Sequence, residues 1–161
     1  MERTAVRSEV VATAVKMKRI DGKSVAMVSA SEYTNTFKDL AGQPAWIQGV
    51  AETALKYGIV TQKERFSPSR EVTRAEAYAL FAKSVCLSYP AVTSKDASWQ
   101  KNLYEQVKVA DLTARSWEAF KPDRPVLRQE MFAIASTMAD WAERTGGCTP
   151  KPDACFLSVA K

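Results

Sequence analysis

The sequence predicts an all-α domain, a bundle of helix–loop–helix repeats packed about a common axis. Three observations carry that expectation: a gapless internal repeat, apolar residues at helical spacing in both halves of each copy, and a Phe-x-Pro connection between the halves. The chain has 161 residues, of which 46% are hydrophobic and 25% charged, enough for one domain with its own core. One unit alone could not bury the apolar faces of both its helices, whereas three units around an axis could.

The repeat is read directly. FSPSREVTRAEAYALFAKSV from Phe66 aligns on FKPDRPVLRQEMFAIASTMA from Phe120, matching Pro68 with Pro122, Val72 with Val126, Arg74 with Arg128 and Glu76 with Glu130. A partial copy opens the chain, where AVRSEVVATAVKMKR sets Val6, Arg7 and Glu9 in the places of Thr73, Arg74 and Glu76. Its helix continues through Val10, Val11, Ala14 and Val15, and no first helix precedes it. The connection IDGKSVAMVSASEYTNT is open to a short strand or an irregular loop.

The next helix lies in PAWIQGVAETALKYG. Trp46, Val50, Ala54 and Tyr57 form one stripe with Ile47, Ala51 and Leu55 beside it, Pro44 suits the first turn, and Gly58 suits a left-handed stop. Its counterpart SWQKNLYEQVKVAD offers Trp99, Leu103, Val107 and Ala110. Phe66 and Phe120 read as loop anchors plugged into the core. The expected organisation is one domain over 1–145, made of a partial repeat 5–19, a full repeat 37–87 and a degenerate repeat 94–145, followed by a tail 146–161.

Histidine is absent, which removes Ser-His and Cys-His catalysis and most transition-metal sites, and no Asp/Glu cluster stands out. No enzyme, metal or cofactor is expected. Lys and Arg outnumber Asp and Glu by 23 to 18, a net charge of +5 that permits anionic partners. No basic helix face or aromatic-basic interleaving supports nucleic acid. No apolar run approaches the roughly 20 residues of a membrane span, so no membrane insertion is expected, and MERTAVRSEV has no signal-peptide core. Cys148 and Cys155 flank TPKPDA and could close a small disulfide loop, while Cys86 on an apolar helix reads as a buried free thiol.

Thr73 and Glu76 have the spacing of a capping box, in which the hydroxyl accepts from the residue 76 amide and the carboxylate accepts from the residue 73 amide. Arg74 is not explained by capping, because a cation is unfavourable at the positive end of a helix. A guanidinium beside unpaired helix N–H groups would make a fork for a carboxylate. Arg7 and Arg128 hold the same place behind Val6 and Leu127, which cannot cap, and Glu9 and Glu130 serve as first-turn acids. Trp46 and Trp99 read as core residues, and Trp117, in the polar stretch LTARSWEAF, as the better exposed sugar-stacking face.

Phe37-Lys38-Asp39-Leu40, then Trp46, Tyr57-Gly58-Ile59-Val60, Phe66-x-Pro68 and Val72-Thr73-Arg74-Ala75-Glu76 together resemble one complete S-layer homology (SLH) repeat. Residues 94–145 resemble a degenerate copy, with Leu127 in place of the threonine, and residues 5–19 resemble the second half of another. The resemblance implies a pseudo-threefold helical spindle that anchors proteins to the cell envelope. It implies binding of cell-wall polysaccharide, often pyruvylated, in grooves between repeats, with Arg74 meeting the pyruvate carboxylate and Arg128 and Arg7 in weaker copies. Trp46 and Gly58 would shape the groove. Other surface-layer protein is a further possible partner, and the rival reading is a degenerate domain used for protein–protein assembly at the cell surface without glycan binding.

Overall fold

The computed structural model describes residues 2–88 and 98–148. Its helices are α1 (Arg7–Met17), α2 (Ala45–Lys56), α3 (Arg74–Val85), α4 (Trp99–Val109), the single turn α5 (Trp117–Phe120) and α6 (Arg128–Thr145). A two-stranded hairpin, β1 (Arg19–Ile20) and β2 (Lys23–Ser24), is the sheet among the described residues. The all-α expectation holds, with the hairpin occupying part of the connection that the sequence left open.

The three copies meet in a closed ring of backbone hydrogen bonds. The Ala5 amide donates to the Val126 carbonyl at 2.9 Å, the Val126 amide to Val72 at 2.9 Å, and the Val72 amide back to Ala5 at 3.3 Å. All three residues are fully buried. Two residues further along, the copies cap one another. The first amides of α1, α3 and α6, on Arg7, Arg74 and Arg128, donate to the carbonyls of Arg70, Arg124 and Arg3. The second amides of α1 and α3 go to Pro68 and Pro122. Helices α1, α3 and α6 pack on each other around this hub, while α2 leans on α1 and α4 on α3.

Phe66 and Phe120 plug the core as expected, at 1% and 0% exposure. Phe66 meets Phe37 edge-on, and Phe120 lies among Tyr78, Tyr104 and Trp117. Asp39 fixes the first connection, its two carboxylate oxygens accepting the Phe66 and Ser67 amides at 2.8 Å each. Burial works against its charged form, yet these amides hold its carboxyl below the usual carboxylate range.

The apolar stripe of α2 is corrected in part. Ile47, Val50, Ala51 and Ala54 are buried, but Trp46 is 52% exposed and is not core. The reason is that α2 buries a second, polar face. Thr53 accepts the Val28 amide, and the buried Glu52 carboxylate accepts the Thr34 and Asn35 amides, so the segment after the hairpin is strapped across the helix. At Gly49 an added Cβ would stand 3.2 Å from the Tyr33 hydroxyl, so the strap lies close against the small residue there. Gly58 ends α2 in the left-handed region, φ +70°, as its position predicts. On α4, Leu103 and Val107 are buried as expected, whereas Trp99 is 37% exposed.

The cysteine pairing is also corrected. Cys86 is not a free thiol: it is bonded to Cys148, with the two Cα atoms 5.1 Å apart. This ties the end of α3 to the turn after α6, and Cys148 is therefore not paired with Cys155, which lies outside the described residues. The residues that approach are 62 apart in sequence, brought together by the packing of α3 on α6.

Peptide mapping of non-reduced protein should recover a Cys86–Cys148 linkage, and Cys148→Ser should lower unfolding stability by about 4 kcal/mol, the loop-closure value for so long a loop. Asp39 gives a pH signature. Its depressed carboxyl contributes stability that is fully present above the ordinary Asp pKa of about 3.9 and is lost as pH falls through the folded value. Asp39→Asn should cost about 1–2 kcal/mol at pH 7, and the gap to wild type in thermal melts should narrow below pH 4.

Candidate functional site

The ring places Arg7, Arg74 and Arg128 at equivalent backbone positions, so their side-chain surroundings decide what each can bind. The helix amides beside them are taken. The first amides of α1, α3 and α6 and the second amides of α1 and α3 meet carbonyls of the neighbouring copy, and the third amide of α3, on Glu76, meets the Thr73 hydroxyl at 3.2 Å. The expected anion site of free helix N–H groups is not present at Arg74. Any anion must be held by side chains.

Capping follows the sequence where a cap exists. The Thr73 amide donates to Glu76 at 2.9 Å, completing the box. Val6 and Leu127 supply no side-chain cap, yet the Val6 amide still reaches Glu9 at 3.2 Å, and α1 and α6 begin on the carbonyls of Arg70 and Arg3. Glu9 and Glu76 each bind the arginine six residues earlier, Arg3 and Arg70. For Glu76, burial opposes ionisation, but Arg70 and the Thr73 amide outweigh it and hold the carboxyl down. Glu130 departs from the pattern, because it turns instead to Arg74.

The matching segments thus run from a Phe37–Leu40 turn through α2 and the Phe66–Pro68 connection into the capped start of α3. Residues 36–77 match the family model of the S-layer homology domain. No curated protein matches the chain. The matched segment covers residues 37–77 of the full copy read from the sequence as 37–87, and SLH domains are cell-surface anchoring modules. No helix among the described residues is long and apolar enough to cross a membrane.

Within the matched segment, Arg74 is 1% exposed. Its Nε donates to Glu130 at 2.5 Å and its Nη1 to the carbonyl of Phe120, with Ala119 at 3.4 Å. Arg115 approaches the same Glu130 oxygen at 3.8 Å. The foremost nominee for an accessible fork is therefore consumed by the fold, bridging α3 to α5 and α6.

Arg7 differs. It is half-buried with its guanidinium 5.4 Å from the centre of the Phe66 ring, and among the described residues no carboxylate lies within ion-pair distance of it. Burial and then the charge of Arg70 lower its pKa, against which Glu76 acts weakly while bound to Arg70. Lys83 on α3 is depressed in turn by burial and by the charges of Arg7 and Lys63. Arg7 thus lies near two other cations, Arg70 and Lys83, and Lys83 in turn lies near Lys63. Arg128 stands between the extremes, half-exposed, 3.8 Å from Glu9 and 5.6 Å from the Phe132 ring centre.

The aromatic nominees part as well. Trp117 belongs to α5, packs on Tyr104 and Phe120, and has Lys101 4.6 Å from its ring centre, so its expected open sugar face is covered. Trp46 is exposed, and no ring or cation contact joins it to the motif arginines among the described residues. Gly58 faces open space. Among the described residues no His, Cys, Asp or Glu group could hold a metal. Sequence reading placed Asp39 in the repeat pattern without a role, and it missed the second arginine series Arg3, Arg70 and Arg124, although that series recurs four residues before each motif arginine.

Arg74→Ala should act on the fold. Removing it leaves Glu130 without its close partner and the Phe120 carbonyl without its donor, at a cost of about 3 kcal/mol measured by urea unfolding. Arg74→Ala/Glu130→Met should recover much of that loss, which a mere ligand contact would not explain.

Proposed function

We propose that the protein is a non-catalytic cell-envelope anchoring module that binds an acidic cell-wall polysaccharide, with pyruvylated sugar as the preferred ligand, through the Arg7 groove. The observation that carries this reading is that Arg7, alone of the three motif arginines, has no carboxylate within ion-pair distance among the described residues while the charges of Arg70 and Lys83 act on it. A ketal-linked pyruvate offers one carboxylate for a bidentate guanidinium and a methyl-bearing ring for the Phe66 side. An anion there would relieve the mutual repulsion of the cations, favouring the charged forms that burial disfavours.

Arg128 is the second candidate, half-exposed, with the shared Glu9 at 3.8 Å and the Phe132 ring beside it. Trp46 and Gly58 remain candidates for shaping a sugar path, Trp46 because of its exposed ring and Gly58 because of the open space beside it. The rival reading, cell-surface assembly without glycan, is favoured by one observation, the closed Arg74 slot.

The test is retention on purified wall polysaccharide before and after chemical removal of pyruvate, at two ionic strengths. Wild type should bind and lose affinity with salt and with pyruvate removal. Arg7→Gln should weaken binding about tenfold or more, as expected for loss of a charged hydrogen-bonded contact, without lowering the melting temperature. Absence of wall binding by wild type sinks the anchoring reading. Undiminished binding by Arg7→Gln sinks the site.

A further inference from the structure

The same four helical positions have two different fates in the three copies. On α3, Arg74, Ala75, Tyr78 and Ala82 are all buried, and on α1, Ser8, Val11 and Val15 are buried with Arg7 half-buried. On α6 the equivalents Arg128, Gln129, Phe132 and Ser136 are all exposed, Phe132 at 50%. The cause is visible in the packing: α2 covers α1 and α4 covers α3, while among the described residues no first-type helix packs on α6. The slot is therefore one that the fold fills with a helix wherever it is filled.

We propose that the α6 face is a self-association surface, on which α6 of a second copy of this chain packs antiparallel about a twofold axis. The face is complementary to itself in that register. Placing Phe132 of one copy over Ser136 of the other sets a large ring against a small side chain, and the twofold repeats the contact. The neighbouring exposed Ala133 lets the backbones approach. The same register brings Arg128, near the start of the helix, opposite Asp140 of the second copy, one exposed opposite-charge pair at each end. Arg128 can reach it, because its Glu9 contact is long, Glu9 is held by Arg3, and the guanidinium already lies beside the Phe132 ring. Asp140 has no ion pair among the described residues. A single helix of 18 residues is about 27 Å long, and one helix face buries an area at the low end of specific interfaces, below about 1,200 Å². The dimer is correspondingly weak and concentration-dependent.

Sedimentation equilibrium on the full chain, with Cys155→Ser so that no covalent link is counted, tests this. The mass should rise from one copy toward two with increasing concentration. Phe132→Glu should raise the dissociation constant at least tenfold. Arg128→Asp and Asp140→Arg should each weaken dimers, and the double exchange should restore them, with circular dichroism melts showing each variant folded. A monomer at all concentrations overturns the proposal, as does a dimer that ignores Phe132→Glu or is not recovered by the charge exchange.

Discussion

Everything in the molecule hangs on the ring of backbone hydrogen bonds through Ala5, Val72 and Val126. Buried amides and carbonyls must find partners, and at the meeting point of three chain segments none can be supplied by a helix or a sheet. The ring solves this by having each copy satisfy the next. Its threefold form also fixes where the helices start, one to two residues further along, so that Arg7, Arg74 and Arg128 leave the hub at equivalent places. The amides at those starts go to Arg70, Arg124 and Arg3, so the positive ends of the helices are closed by neighbouring carbonyls.

Equivalent backbones then diverge through side chains. Glu130 of the third copy leaves the cap position of its own helix and reaches Arg74 of the second, which also binds the last carbonyls of α5. That exchange makes Arg74 an internal tie between α3 and α6. The corresponding acid of the second copy, Glu76, stays with its cap and with Arg70, and Arg7 of the first copy is left beside cations. The difference between a structural and a receptive arginine is thus the position of one carboxylate.

What could be read from the sequence follows the range of the interaction. The Thr73–Glu76 box, the Gly58 stop and the phenylalanine plugs were legible because capping, left-handed backbone and apolar spacing are local. The burial of Arg74 was not, since Glu130 and Phe120 lie in another copy. The Cys86–Cys148 bond was not legible for the same reason, and the nearness of Cys155 in sequence pointed the wrong way. Trp46 misled because α2 buries a polar face under the strap, so hydrogen-bonded Glu52 and Thr53 take positions that hydrophobicity alone gives to tryptophan. The Arg3, Arg70 and Arg124 series was present in the alignment, but its meaning needed the ring.

On the proposed reading, Arg7 would couple folding to binding. A half-buried guanidinium near like charges weighs against the unliganded fold, because burial removes water that would screen them and among the described residues no carboxylate forms an ion pair with it. Any anion that enters binds the folded form alone, so its affinity adds to stability in proportion to the logarithm of its concentration over the dissociation constant. Arg74, already neutralised by Glu130, can gain nothing comparable. The same physics that makes Arg74 a sound core residue therefore makes it a poor receptor, whereas the Arg7 charge, without an ion pair among the described residues, is what a wall-borne carboxylate would meet on the proposed reading.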